Sequence, residues 1–116
     1  MELVEVCKKT GDLFFPQREF VLVDGKDIVC KLMIMEIAKE SRLDLTIVTD
    51  PKHQHKGYAT TGLKLLIKWA ARNGYKKVTL TNLFGSLAID KIAKNLHFTK
   101  DNQSTWSKSI TGPLNI

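Results

Sequence analysis

The chain has 116 residues, a net charge of +6, 43% hydrophobic residues and 26% charged residues. That length supports one domain over residues 1–116 with a real core, and the balance is that of an ordinary globular protein rather than a fibrous or disordered one. No apolar run approaches the roughly 18 residues that a membrane span needs. The start, MELVEVCKKTGD, has early acids and no apolar stretch of the secretory kind, so a cytoplasmic protein without membrane contact is expected.

The positive charge suits polyanions: nucleic acid, an anionic surface or a phosphate-rich small ligand. The lysines are spread along the chain with no run of five or six, which counts against a dedicated nucleic-acid arm. Cys7 and Cys30 sit in strand-like stretches, VEVCK and IVCKL. They read as reduced, partly buried thiols, since a disulfide would require neighbouring strands, and their spacing fits no zinc site.

In chain order, residues 2–8 alternate imperfectly as a strand does. Thr10-Gly11-Asp12 reads as a turn, and Phe14-Phe15-Pro16 as irregular chain. Residues 19–23 and 27–37 form two strands around Asp24-Gly25, a short hairpin signal. Residues 39–42 make a polar turn, and 43–49 a further strand. From Gly57 to Asn73 the period changes: Ala59, Leu63, Leu66, Ile67 and Ala70 form a helical stripe. Arg72 falls in the last turn, where positive charge suits the dipole, and Asn73-Gly74 provides the stop. Residues 76–81 are a strand. Residues 86–96 are a second helix with Ser86 as N-cap. Residues 97–100 and 105–110 close the chain as a hairpin, and the tail TGPLNI is loosely held. The fold class is α/β (α+β): one mixed, mostly antiparallel central sheet flanked by helices.

The chemistry concentrates between Val48 and Ala70. A strand ends at Thr49, a polar turn follows, and Gln54, Gly57 and Ala59 come in the spacing Q-x-x-G-x-A just as the long helix begins. Small residues there let several helix-start N–H groups converge on one anion. The dipole adds partial positive charge, making a phosphate seat, and Lys52, His53, His55 and Lys56 surround it. The stretch has neither a Walker lysine nor the G-x-G-x-x-G of a dinucleotide fold. His53 and His55 read as loop residues beside the seat rather than as a metal pair, so no metal is expected. Trp69 and Trp106 read as packing residues. Leu32, Met33, Ile34 and Met35 read as sheet packing, with one face available to line an acceptor site.

This strand, the D-P step, Q-x-x-G-x-A and the amphipathic helix together resemble the pyrophosphate-binding motif of the GNAT N-acetyltransferase superfamily. SLAIDKIAKNLHF, residues 86–98, resembles that family's second motif. The element order over about residues 19–110 also fits, with the usual N-terminal helix pair missing or replaced by residues 10–18. The resemblance implies that acetyl-CoA is a cosubstrate. Its pyrophosphate would lie on the N–H groups of Gln54, His55, Lys56, Gly57, Tyr58 and Ala59, with a hydroxyl from Thr60. Its pantetheine arm would pair with the free edge of Ile47, Val48 and Thr49. An N–H near Val48 or Thr49 would polarise the thioester carbonyl, with Thr81 and Asn82 forming the opposite wall and Ser86 standing where the family often has a cofactor-contacting Asn.

Two departures bear on activity. Ala93 stands where many members carry a tyrosine that protonates the leaving thiolate, and His97 stands where the family has Gly, as a turn residue rather than a base. For the base that deprotonates the amine, the nearest carboxylate is Asp44, with Glu36 on the previous strand second; Asp44 is one residue off the common register, which turns a strand side chain to the other face. The resulting expectation is an N-acetyltransferase that acts on a primary amine of a small molecule or peptide by direct attack in a ternary complex, as monomer or homodimer. A non-catalytic CoA-binding module is the alternative, and a small nucleic-acid-binding protein a third reading that rests on charge alone.

Overall fold

The computed structural model describes residues 1–9, 17–49, 51–54, 56–82 and 85–111. The turn expected at Thr10-Gly11-Asp12, the Phe14–Pro16 stretch and most of the tail lie outside the described residues. Among the described residues, seven strands and two α-helices follow the expected order. They are β1 (Glu2–Lys9), β2 (Gln17–Asp24), β3 (Asp27–Ile37), β4 (Arg42–Thr49), α1 (Tyr58–Arg72), β5 (Lys77–Thr81), α2 (Leu87–Asn95), β6 (Thr99–Lys100) and β7 (Thr105–Ser109). Of the 10–18 stretch, where the usual helix pair was expected to be missing or replaced, Gln17 and Arg18 begin β2, and residues 10–16 lie outside the described residues. At the turn expected over 39–42, a short 3-10 turn runs Ala38–Glu40 and ends at Ser41 in the left-handed region, and Arg42 already begins β4.

The strands form one sheet in the order β1-β2-β3-β4-β5-β7-β6. Every pairing is antiparallel except β4 with β5. That parallel pair is joined through α1, as a parallel connection requires. The β2–β3 hairpin turns on Gly25 and Lys26 between the paired Asp24 and Asp27. Gly25 takes φ +61° at the first turn position, where a side chain would be strained.

Alternation sorts the side chains to two faces. On one face Phe20, Leu22, Leu32, Ile34, Leu43, Leu45 and Ile47 join Leu63, Leu66, Ile67 and Ala70 of α1 in a single core. Gly62 lets α1 approach closely: a Cβ there would sit 3.3 Å from Leu32 Cδ1. α2 lies on this face too. Its Asp90 accepts from Trp106 Nε1 at 2.8 Å, and Trp106 is the strand partner of Leu80 in the same core. Trp69 packs edge-on to Phe20 with centroids 5.0 Å apart, so both tryptophans serve packing.

Both helices end in the same backbone device. Gly74 N–H donates to Ala71 O and Tyr75 N–H to Ala70 O; His97 N–H donates to Lys94 O and Phe98 N–H to Ala93 O. This double closure needs a left-handed residue just past the helix. Gly74 supplies it at φ +84°, whereas α2 uses His97 at φ +66°.

The opposite face carries Cys7, Glu19, Met33, Met35, Asp44 and Thr46. Among the described residues no helix covers it. Cys7 lies there on β1 and Cys30 lies buried on the α1 side of β3, with β2 between them.

Candidate functional site

β4 and β5 pair only from Arg42↔Lys77 to Leu45↔Leu80. Beyond Leu45, β4 continues to Thr49 while still paired to β3, as Lys31↔Val48 and Cys30↔Thr49 show. The backbone of Thr46–Thr49 on the β5 side therefore has no strand partner. β5 meanwhile stays with β7 through Thr81↔Thr105. The sheet forks here, and a cleft of about 590 Å³ opens between β4, the start of α1, the end of β5 and α2.

The start of α1 forms one rim. Its N-cap, Gly57, has φ +80°, makes no side-chain cap, and no acid occupies the first turn. The first helical N–H groups have no intrahelical acceptor, so the positive end of a 15-residue helix faces the cleft without compensation. α2 differs: Ser86 Oγ accepts from Ile89 N–H at 3.3 Å, and Asp90 stands in the first turn. The two helix starts thus differ: that of α2 is capped and acid-bearing, and that of α1 is neither.

Ten of the twelve residues read from the sequence as cofactor contacts line this cleft: Ile47, Val48, Thr49, Gln54, Gly57, Tyr58, Ala59, Thr60, Asn82 and Ser86. Lys56 is exposed beside it, and His55 lies outside the described residues. Asn82 and Ser86 reach the cleft as a brace. Asn82 Nδ2 donates to Ser86 O at 2.8 Å and to Asp90 Oδ1 at 3.0 Å, and Asn82 Oδ1 accepts from Ser86 N–H at 2.9 Å. Those bonds hold the β5–α2 connection against the wall.

Several lining residues escaped the sequence reading. Lys91 and Asn95 of α2 face the cleft, on the helical stripe shared with Ala88 and Ile92. Their i, i+3 and i, i+4 spacing was visible, but the apolar stripe drew attention to the core side instead. His53, expected beside the seat, lines the cleft too; its ring meets Tyr58 edge-on at 5.8 Å and its buried Nδ1 has no hydrogen-bond partner among the described residues.

A second cleft, about 460 Å³, lies on the uncovered face. It includes Cys7, Glu19, Met33, Met35 and Asp44, and it shares Thr46 and Thr81 with the first cleft. The two clefts thus meet through the fork. Of the tetrad read as packing, Leu32 and Ile34 are buried under α1, while Met33 and Met35 line this groove, which Ile34 also borders.

The two carboxylates considered as bases lie on opposite faces. Asp44 lines the groove, one position along β4 from the face of its buried neighbours, but both its oxygens are engaged by Arg42: Nε to Oδ1 at 2.8 Å and Nη2 to Oδ2 at 3.3 Å. Glu36 is buried on the α1 side, where it accepts from Arg18 Nε at 2.9 Å and from the Tyr75 hydroxyl, and it lines neither cleft. The Arg18 guanidinium lies 5.2 Å from the Trp69 ring and also pairs with Glu5.

The chain has two tyrosines, and both hydroxyls are committed. Tyr58 donates to Asp24 Oδ2 at 2.8 Å, which raises its pKa. Burial and the Glu36 carboxylate push Tyr75 up to about 12. Ala93 is fully buried in the core. Neither tyrosine hydroxyl is free to serve as an acid at the fork.

A seven-stranded mixed sheet, forked at its one parallel pair and carrying an uncapped helix start at the fork, is the acetyltransferase fold of the GNAT type. The Acetyltransferase (GNAT) family matches residues 12–97, and the chain belongs to that family. Solved structures similar to it include a spermidine/spermine N-acetyltransferase from Vibrio cholerae, at 17% identity and TM-score 0.72, over 82% of this chain and 68% of that one. The Vibrio cholerae spermidine N-acetyltransferase in complex with CoA and spermine matches at 16% identity and TM-score 0.73, over 82% and 66%. An N-acetyltransferase from Staphylococcus aureus Mu50 matches at 16% identity and TM-score 0.70, over 82% and 68%. The curated proteins contain no match. Among the described residues no helix is long and apolar enough to cross a membrane, and no group of three metal-ligating side chains occurs.

Proposed function

We propose that this chain transfers an acetyl group from acetyl-CoA to a primary amine. The observation that carries the reading is the uncapped, acid-free start of α1 on the rim of the β4–β5 fork. A pyrophosphate fits that seat because converging N–H groups and the helix dipole favour an anion there. Gly57, with open space where a Cβ would stand, lets the ligand approach the backbone. Lys91 adds a cation on the facing wall.

Acetyl-CoA supplies an acetyl thioester that a neutral amine attacks directly, giving an amide and the free thiol. The unpaired N–H groups of Thr46–Thr49 would orient the pantetheine arm and polarise the thioester carbonyl. The amine would arrive through the groove on the uncovered face and meet the carbonyl between Thr46 and Thr81. With both tyrosines committed, the thiolate takes its proton from water, which its ordinary pKa of about 8.5 permits. With Asp44 engaged by Arg42, the ammonium loses its proton to bulk solvent through the open groove, and the rate should rise with pH toward the amine's own pKa.

Thermal unfolding with acetyl-CoA, CoA and ATP side by side tests the cofactor site, because a ligand that binds only the folded state raises the melting temperature. Stabilisation by both CoA forms and not by ATP supports it; no shift with either refutes it. The engaged tyrosines and Asp44 favour a second reading, a CoA-binding module without catalysis. That reading predicts the same thermal shift with no release of free thiol in the presence of amines.

A further inference from the structure

The groove on the uncovered face contains a carboxylate that nothing described so far uses. Glu19 is half-buried on β2, lines the groove, and forms neither a hydrogen bond nor an ion pair with any described residue. The other carboxylate of the groove, Asp44, is neutralised by Arg42. Lys31 stands diagonal to it across β2–β3, exposed and without a bond to it, and Arg18, which also borders the groove, is engaged by Glu5 and Glu36. In a protein of net charge +6, an unpartnered, half-buried carboxylate in a concave surface attracts a cation from outside.

Strand register places that carboxylate relative to the fork. Cys7↔Glu19, Glu19↔Met33 and Met33↔Thr46 are successive partners, so these four side chains form one row across β1 to β4 on one face. The row ends at Thr46, where the two clefts meet. Glu19 therefore stands two strand spacings, about 10 Å, from the fork. Between them lies Met33, an apolar floor that is 42% exposed, flanked by Met35.

Building on the N-acetyltransferase reading, we propose that the acceptor is an aliphatic amine with a second positive charge about 10 Å from the reacting nitrogen. Glu19 holds the second charge, Met33 and Met35 carry the aliphatic arm, and the reacting amine reaches the fork at Thr46.

The test compares acetylation of diaminooctane with that of octylamine, which has the same arm and no second charge, by the wild type and by Glu19→Gln. The wild type should prefer the diamine by about tenfold in kcat/KM, the worth of one charge-assisted hydrogen bond. Glu19→Gln should bring that ratio to about one, through KM, while keeping the thermal shift with acetyl-CoA. Equal use of the two amines by the wild type would overturn the proposal. So would a Glu19→Gln variant that slows both amines alike, which would assign Glu19 to proton removal. Stabilisation by acetyl-CoA with acetylation of neither amine also overturns it and leaves the cofactor site standing. Loss of any thermal shift with acetyl-CoA in the wild type removes the underlying reading and this proposal together.

Discussion

A carboxylate placed in the first turn of α1 should move stability and cofactor affinity in opposite directions. Thr60 is the third residue after the N-cap Gly57; it is half-buried and lines the cleft. The turn holds no acid and the helix has no side-chain cap. Thr60→Asp therefore adds a favourable charge–dipole interaction, about 0.5 kcal/mol for the free protein, which raises the melting temperature by about 2 °C. The same carboxylate would lie about 5 Å from one charge of a bound pyrophosphate, a repulsion of about 3 kcal/mol at an effective dielectric constant near 20. Screening at the open side of the cleft reduces this to about 1.5–3 kcal/mol. The expected loss of acetyl-CoA affinity is thus about tenfold to hundredfold. Thr60→Asn keeps the shape without the charge and should retain affinity within about threefold. Calorimetric titration with acetyl-CoA and thermal unfolding of the free proteins read the two effects separately. A stabilised Thr60→Asp that binds acetyl-CoA as the wild type does would refute the assignment of this helix start as the anion seat.

Other consequences can be checked on the free protein. His97→Gly should stabilise it by about 1 kcal/mol, because glycine takes the left-handed position after α2 without the steric cost of a Cβ; unfolding in denaturant should show a higher midpoint at unchanged slope, and an unchanged midpoint would refute strain at His97. Tyr75, with its folded pKa raised to about 12, contributes stability that is complete below its unfolded pKa of about 10 and is lost as pH rises through 12. Spectroscopic titration should accordingly show no tyrosine ionising at the ordinary midpoint, and Tyr75→Phe should remove this part of the alkaline loss; an ordinary midpoint for Tyr75 would contradict its bond to Glu36. Of the two thiols, half-buried Cys7 should react with a thiol reagent in the native state. Cys30 is 1% exposed, and burial raises its pKa, so it should react only on unfolding; two fast thiols would contradict the placement of β3 under α1.

The repeating parts of the fold were legible in the sequence because local physics sets them. The stripe from Ala59 to Ala70 and the Asn73-Gly74 stop delimit α1, the Asp24-Gly25 turn joins β2 to β3, and Ser86 caps α2 as its side-chain chemistry predicts. The Q-x-x-G-x-A spacing was equally legible, since the proposed phosphate seat would be built from consecutive backbone groups around Gly57. What stayed hidden depended on which strands are neighbours and where they part. That β4 leaves β5 after Leu45 is a property of two strands separated by a whole helix, and no local pattern encodes it. The row Cys7–Glu19–Met33–Thr46 is assembled from four strands by register, with a bulge in β1 between Glu5 and Cys7 that shifts which residues face the groove. Glu36 read as an available carboxylate until packing brought it Arg18 from another strand, whereas Asp44 meets Arg42 two residues back on its own strand. Periodicity specifies the face of an element, but a partner such as Arg18 for Glu36 is decided only when distant segments meet.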